Sequence, residues 1–113
     1  MKQFLSLLVI VFTSVNLFAQ AQKEETIKVW GNCGTCKKKI EKAATTAGAT
    51  YASWDKETKI LAIKYDETKT SNKKIQESIA AVGYDTQDVK GNDKAYKKLD
   101  DCCQYDRKDS KKQ

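Results

Sequence analysis

Neither histidine nor proline occurs in the 113 residues, and methionine appears once, as Met1. Without histidine a c-type haem attachment is excluded, because that motif needs a histidine directly after its second cysteine, where this chain has Lys37. Any metal site must also do without imidazole. Without proline a thioredoxin-like enzyme is disfavoured, since that fold sets a cis-proline against its active cysteines. A Pro/Gly-rich linker, a low-complexity tract and an internal repeat are missing as well, so the length accommodates one domain at most.

The N-terminus reads as an export signal. Met1 and Lys2 give a short basic start, Phe4 to Phe18 form an apolar run, and Ala19 and Ala21 supply small residues at a cleavage point. Ser6, Thr13, Ser14 and Asn16 interrupt a run of 15 residues, which is short for a membrane span. Residues 1–21 are therefore expected to be a signal peptide cut after Ala19 or Ala21. The protein is expected to be exported, to the periplasm of a Gram-negative bacterium, with no stable membrane anchor after cleavage. The net charge is +6, but lysines alternate with Glu and Asp along the expected helical faces. This balance fits a solvated surface that steers towards an acidic partner, and no nucleic-acid partner is expected.

Hydrophobic periodicity orders the rest. "TIKVW" (26–30) alternates, so Ile27 and Val29 share a strand face. After a glycine-rich turn, Ile40, Ala43, Ala44 and Ala47 repeat at helical spacing from Cys36, and Gly48 supplies a stop. Tyr51 to Trp54 and Ile60 to Tyr65 read as a β-hairpin around "DKET", with Leu61, Ile63 and Tyr65 on one face. Thr70 or Ser71 caps a second helix carrying Ile75, Ile79 and Val82, Gly83 ends it, and Tyr84 to Val89 form a last strand. The predicted order is β-α-β-β-α-β over residues 25–89: an α+β, ferredoxin-like sandwich with two helices on one face of a four-stranded antiparallel sheet. Residues 90–113 form a C-terminal extension. There Asp93 caps a short helix whose Tyr96, Leu99 and Cys103 share a face, and the final ten residues are expected to be disordered. A reversal at "KGND" would carry the end of that helix back beside the first cysteine pair.

The chemistry-bearing residues are the four cysteines, Cys33, Cys36, Cys102 and Cys103. A C-x-x-C pair at a helix start brings two sulfurs towards one point, where free N–H groups and the helix dipole favour thiolate. Lys37, Lys38 and Lys39 are expected to add positive charge nearby. Two thiolates with no imidazole suit a soft ion: Cu(I) first, with Hg(II) fitting the same donors and Zn(II) as a further candidate. Three other readings stay open on these residues alone: an ordinary disulfide in an oxidising compartment, a thiol–disulfide redox protein without metal, and structural zinc on all four sulfurs. A disulfide closing so small a loop restrains the unfolded chain little.

"VWGNCGTC" opening a helix, the element order, and "AAVGYD" before the last strand together resemble the heavy-metal-associated domain family. That family includes small copper chaperones, periplasmic mercury-binding proteins and the N-terminal domains of metal-transporting ATPases. The resemblance covers residues 25–89 and implies a metallochaperone rather than an enzyme, a monomer that passes its ion by ligand exchange to a metal-transporting or metal-accepting protein with thiolate ligands. By position it makes Cys33 and Cys36 the metal ligands and sets Tyr84 across the loop, shielding the sulfurs. Where the family has Gly-Met ahead of its first cysteine this chain has Trp30 and Gly31, so Trp30 is expected to fill the space beneath the loop. Lys37 is expected beside the site. Apart from the resemblance, two readings stay open for Cys102 and Cys103: they fold back as a third sulfur ligand or a reservoir pair, or they lie on a loose tail and pair between molecules or with each other.

Overall fold

Alternating side chains at Leu61, Ile63 and Tyr65 bury one face of a central strand, and the rest of the sheet is built on it. The computed structural model describes residues 22–108; the expected signal peptide lies outside them. Three strands, β1 (Gln22–Lys28), β2 (Ala49–Trp54) and β3 (Ile60–Asp66), form an antiparallel sheet in the order β1-β3-β2. The β1–β3 register runs from Gln22 opposite Asp66 to Lys28 opposite Ile60. Helices α1 (Gly34–Thr46) and α2 (Asn72–Ala81) pack together. Ile40, Ala43, Ala44, Ile75 and Ile79 form one core with Ile27, Val29, Leu61, Ile63 and Tyr65. No helix among the described residues is long and apolar enough to cross a membrane.

Local chemistry sets the joints. Asp55 accepts N–H bonds from Glu57 and Thr58 and so closes the "DKET" turn, which leaves Lys59 at φ +65°. Ser71, of the two candidate caps, holds the start of α2 by accepting from the Lys74 N–H at 3.1 Å. Thr70 is buried instead and donates to the Ala47 carbonyl at 2.7 Å. Val82, expected on the buried stripe of α2, stands 41% exposed because the helix has already ended there.

The expected last strand is reduced to one bridge, Thr86 opposite Val29. Buried Gln76 explains this: its amide oxygen accepts from the Thr86 hydroxyl at 2.6 Å and the Asp88 N–H at 3.0 Å, and the Thr86 N–H turns back to the Val89 carbonyl. A chain curled around that amide cannot continue along the β1 edge. The β-α-β-β-α-β order is kept, with a single paired residue as its sixth element.

The C-terminal extension also departs from one long helix. Asn92, not Asp93, caps α3 (Asp93–Lys97), and a 3-10 turn follows at Asp101–Cys103. Asp100 and Asp101 would sit unfavourably at the negative end of a continued helix. Here they occupy the N-cap and first position of the next turn, where the dipole favours carboxylates. The expectation of disorder fails for Gln104–Lys108: Tyr105 is buried, and Arg107 pairs with Asp85 and Asp93.

Gly83 makes room for this extension. Its φ is +106°, and a Cβ there would lie 2.8 Å from the Tyr96 nitrogen. Gly83→Ala should therefore destabilise the fold by about 1–3 kcal/mol, through left-handed backbone strain and displacement of α3. Urea denaturation followed by circular dichroism checks this as a lowered midpoint.

Candidate metal centre

The loop between β1 and α1 is held at every step. The Val29 N–H donates to the Lys59 carbonyl at 2.8 Å, the Trp30 N–H to the Asp85 carbonyl at 3.0 Å, and the Lys59 ammonium to the Gly31 carbonyl at 2.6 Å. Gly31 is buried, and a Cβ there would lie 3.0 Å from the Trp54 ring. Trp54 is thus the side chain beneath the loop, anchored by its indole N–H to the Val29 carbonyl at 3.0 Å. Trp30 does not fill that space: it is half-buried and carries Lys28 and Lys108 against its ring. The alternation that turns Ile27 and Val29 inward leaves Trp30 at the margin of the core rather than within it.

Cys33 occupies the N-cap of α1 with extended backbone, and Cys36 lies buried in the first turn. Their sulfurs are 4.0 Å apart, and both thiols are free. The N–H groups of Cys36 and then Thr35 favour a Cys33 thiolate and hold its pKa down at about 7. Of the lysines following the pair, Lys38 and Lys39 line the cleft beside Cys33, but Lys37 does not contribute as expected. Lys37 turns its ammonium to Glu41 at 2.5 Å and to the Trp54 carbonyl at 3.0 Å, which ties α1 to the end of β2 rather than to the sulfurs.

The C-terminal extension reaches the same place. The sulfurs of Cys33, Cys36 and Cys103 all lie within 4.8 Å of one another, with Cys36 and Cys103 fully buried. Burial, followed by the neighbouring Cys36, pushes the Cys103 thiol up to about 12. Cys102 is exposed and outside this group. Its carbonyl lies 3.6 Å from the Cys33 sulfur, and its own sulfur lies 3.9 Å from that of Cys103 and within reach of Cys33. An open cleft lined by Cys33, Gly34, Thr35, Lys38, Lys39 and Cys102 gives access from solvent.

Tyr84 adjoins the buried sulfurs. It is fully buried, its hydroxyl faces the sulfurs of Cys36 and Cys103, and that hydroxyl has no hydrogen-bond partner. Burial raises its pKa strongly. Sequence reasoning missed its support: Tyr105 stacks on Tyr84 at 5.6 Å, donates its O–H to the Gly83 carbonyl at 2.7 Å, and accepts the Asp85 N–H at 2.7 Å. The only local signal for it is Tyr105 itself, one large aromatic in an otherwise polar tail; the burial of Cys103 and Tyr105 beside exposed Cys102 and Gln104 is set by the fold. Trp54 carried no comparable signal, because nothing in its spacing points to the cysteine loop.

The sequence profile of the heavy-metal-associated domain matches residues 32–85. Among solved structures, the CopZ metallochaperone is 30% identical with a TM-score of 0.54, covering 57% of this chain and 98% of its own. Oxidized MerP from Ralstonia metallidurans CH34 is 28% identical with a TM-score of 0.56, covering 59% of this chain and 96% of its own. The putative copper-ion-binding protein from Bacillus anthracis str. Ames is 26% identical with a TM-score of 0.56, covering 59% and 97%. No curated protein sequence matches the chain. The profile match stops at Asp85, so the segment that supplies Cys103 and Tyr105 lies beyond it.

The contrast between the sulfurs is measurable. In the reduced protein, iodoacetamide should modify Cys33 with a half-maximal rate near its pKa of about 7, while Cys103, at about 12, stays unmodified. Peptide mass mapping across a pH series checks this; equal reaction at both positions would refute it.

Proposed function

The chain belongs to the heavy-metal-associated domain family, and from that premise we propose that it is a metallochaperone for a soft ion held on the thiolates of Cys33 and Cys36. Cu(I) is the preferred ion, ahead of Hg(II) and Zn(II), because paired thiolates without imidazole or a carboxylate cluster are soft donors. The observation that carries this reading is the free pair itself: one sulfur at the N-cap of α1, the other 4.0 Å away in its first turn.

The pair is built for exchange rather than for turnover. The α1 N–H groups stabilise the Cys33 thiolate without closing it off, and Trp54, Lys59 and Asp85 fix the loop, so little reorganisation accompanies binding. A partner carrying its own thiolates approaches through the open cleft and adds its sulfur before the first pair lets go. The ion thus moves without being free. Lys38 and Lys39 at the mouth favour an acidic partner surface. The export signal at residues 1–21 sets this exchange in the periplasm, with the working chain beginning at Gln20 or Gln22.

Two experiments test the reading. Replacing Cys33 and Cys36 together by Ser should abolish tight Cu(I) binding, measured against a competing chelator, while circular dichroism stays unchanged; wild-type affinity in that variant would refute the assignment. Mass spectrometry of the protein recovered from the periplasm of a Gram-negative host should show a start at Gln20 or Gln22. Intact protein from Met1 in the cytosol would refute export.

A further inference from the structure

We propose that Cys103 is the third ligand of a trigonal three-thiolate site, closed over the ion by the C-terminal strap (residues 99–108). This rests on the assignment of Cys33 and Cys36 as ligands and extends it to a segment outside the matched domain.

The sulfur spacing carries the inference. With metal–thiolate bonds of about 2.3 Å, two sulfurs on opposite sides of a linear ion lie about 4.6 Å apart, and two at a trigonal angle about 4.0 Å. The Cys33 and Cys36 sulfurs are 4.0 Å apart. The pair therefore leaves a coordination position, and Cys103 stands on that side: its sulfur lies within 4.8 Å of both others. For such a triangle the point equidistant from the sulfurs is no more than about 2.6 Å from each, so a contraction of a few tenths of an ångström brings all of them to bonding distance.

A second observation points at the same spot. The Tyr84 hydroxyl is fully buried, unpartnered, and turned to the sulfurs of Cys36 and Cys103. An unpaired buried O–H is costly, and thiolates bound to an ion would accept it. Three thiolates around a single ion carry excess negative charge, which this O–H and the start of α1 help to offset.

Cys102 is not the donor. It is exposed and stands outside the three sulfurs that lie within 4.8 Å of one another, with its own sulfur 3.9 Å from that of Cys103 and beside Cys33 on the solvent side. The strap that carries Cys103 is tied to the domain by Tyr105, whose hydroxyl bridges the Gly83 carbonyl and the Asp85 N–H, and by the Arg107–Asp85 ion pair. Because Cys103 rides on the strap while the other sulfurs ride on α1, opening the strap withdraws Cys103 alone. Handover then begins there. A partner's thiol gives up its proton as its sulfur bonds the ion, the bond from the ion to Cys103 breaks, and the Cys103 sulfur takes up a proton; the ion keeps its oxidation state.

The test is X-ray absorption at the copper edge on the reduced monomer loaded anaerobically with one equivalent of Cu(I). Three sulfurs are expected for the wild type and for Cys102→Ser, and two for Cys103→Ala. Two sulfurs in the wild type would overturn the proposal while leaving the Cys33/Cys36 reading intact, and a loss of sulfur in Cys102→Ser would overturn the choice of Cys103. A wild type with no tightly bound copper would overturn both readings. In a chase with bathocuproine disulfonate, Cys103→Ala should release copper at least about tenfold faster, the scale on which even outer partners tune a site; equal rates would overturn closure by the strap. Tyr84→Phe should keep three sulfurs and lower the affinity roughly tenfold.

Discussion

Asp85 is 1% exposed at its side chain, and through it the cysteine loop and the C-terminal strap become one structure. Its carbonyl accepts the Trp30 N–H from the loop, and its N–H donates to the Tyr105 hydroxyl. Its carboxylate takes Arg107 at 2.8 and 3.2 Å, the Gly91 N–H at 2.7 Å, and the Lys108 N–H. Burial pushes the carboxyl pKa up, but the Arg107 guanidinium and these N–H groups outweigh it, and the net shift is downward. A buried carboxylate that lost its guanidinium would be left uncompensated, at a cost of about 3–5 kcal/mol. The Arg107–Asp85 pair is therefore a tie of the strap that cannot lose one partner cheaply, alongside the Tyr105 hydrogen bonds to Gly83 and Asp85.

Around that joint the three sulfurs have been given different surroundings. Cys33 sits where backbone N–H groups favour its anion and where solvent reaches it, while Cys103 lies buried among Cys36, Tyr84 and Tyr105. In the proposed role the first is ready to meet an ion, and the second gives up its proton only when a metal replaces it, so loading releases protons. Tyr84 is the link between these surroundings. Its ring stacks on the strap and its hydroxyl faces the sulfurs.

Much of this was legible along the chain because it depends on neighbours in sequence. Helical spacing at Ile40, Ala43 and Ala44, alternation at Leu61, Ile63 and Tyr65, and the cap at Ser71 are local properties, and each held in the structure. The C-x-x-C pair at the start of α1 belongs to this class, since the helix N-terminus that brings its sulfurs together also supplies their N–H groups.

What failed locally failed for tertiary reasons. Tyr84–Val89 has a strand-like pattern, but a glutamine a helix away draws the chain into a turn. Trp30 and Lys37 adjoin the cysteines in sequence, yet strand alternation leaves the first at the margin of the core and Glu41 with the Trp54 carbonyl claims the second. Trp54 fills the space beneath the loop from another strand, and a polar tail that reads as disordered is ordered through Gln104–Lys108. The sequence alone determined the order of elements, the buried faces and the cysteine pair, because hydrophobic period and helix-end chemistry act over a few residues. The tertiary structure decided the third sulfur, the tryptophan under the loop and the strap, because these depend on a buried charge and close packing between segments far apart in the chain.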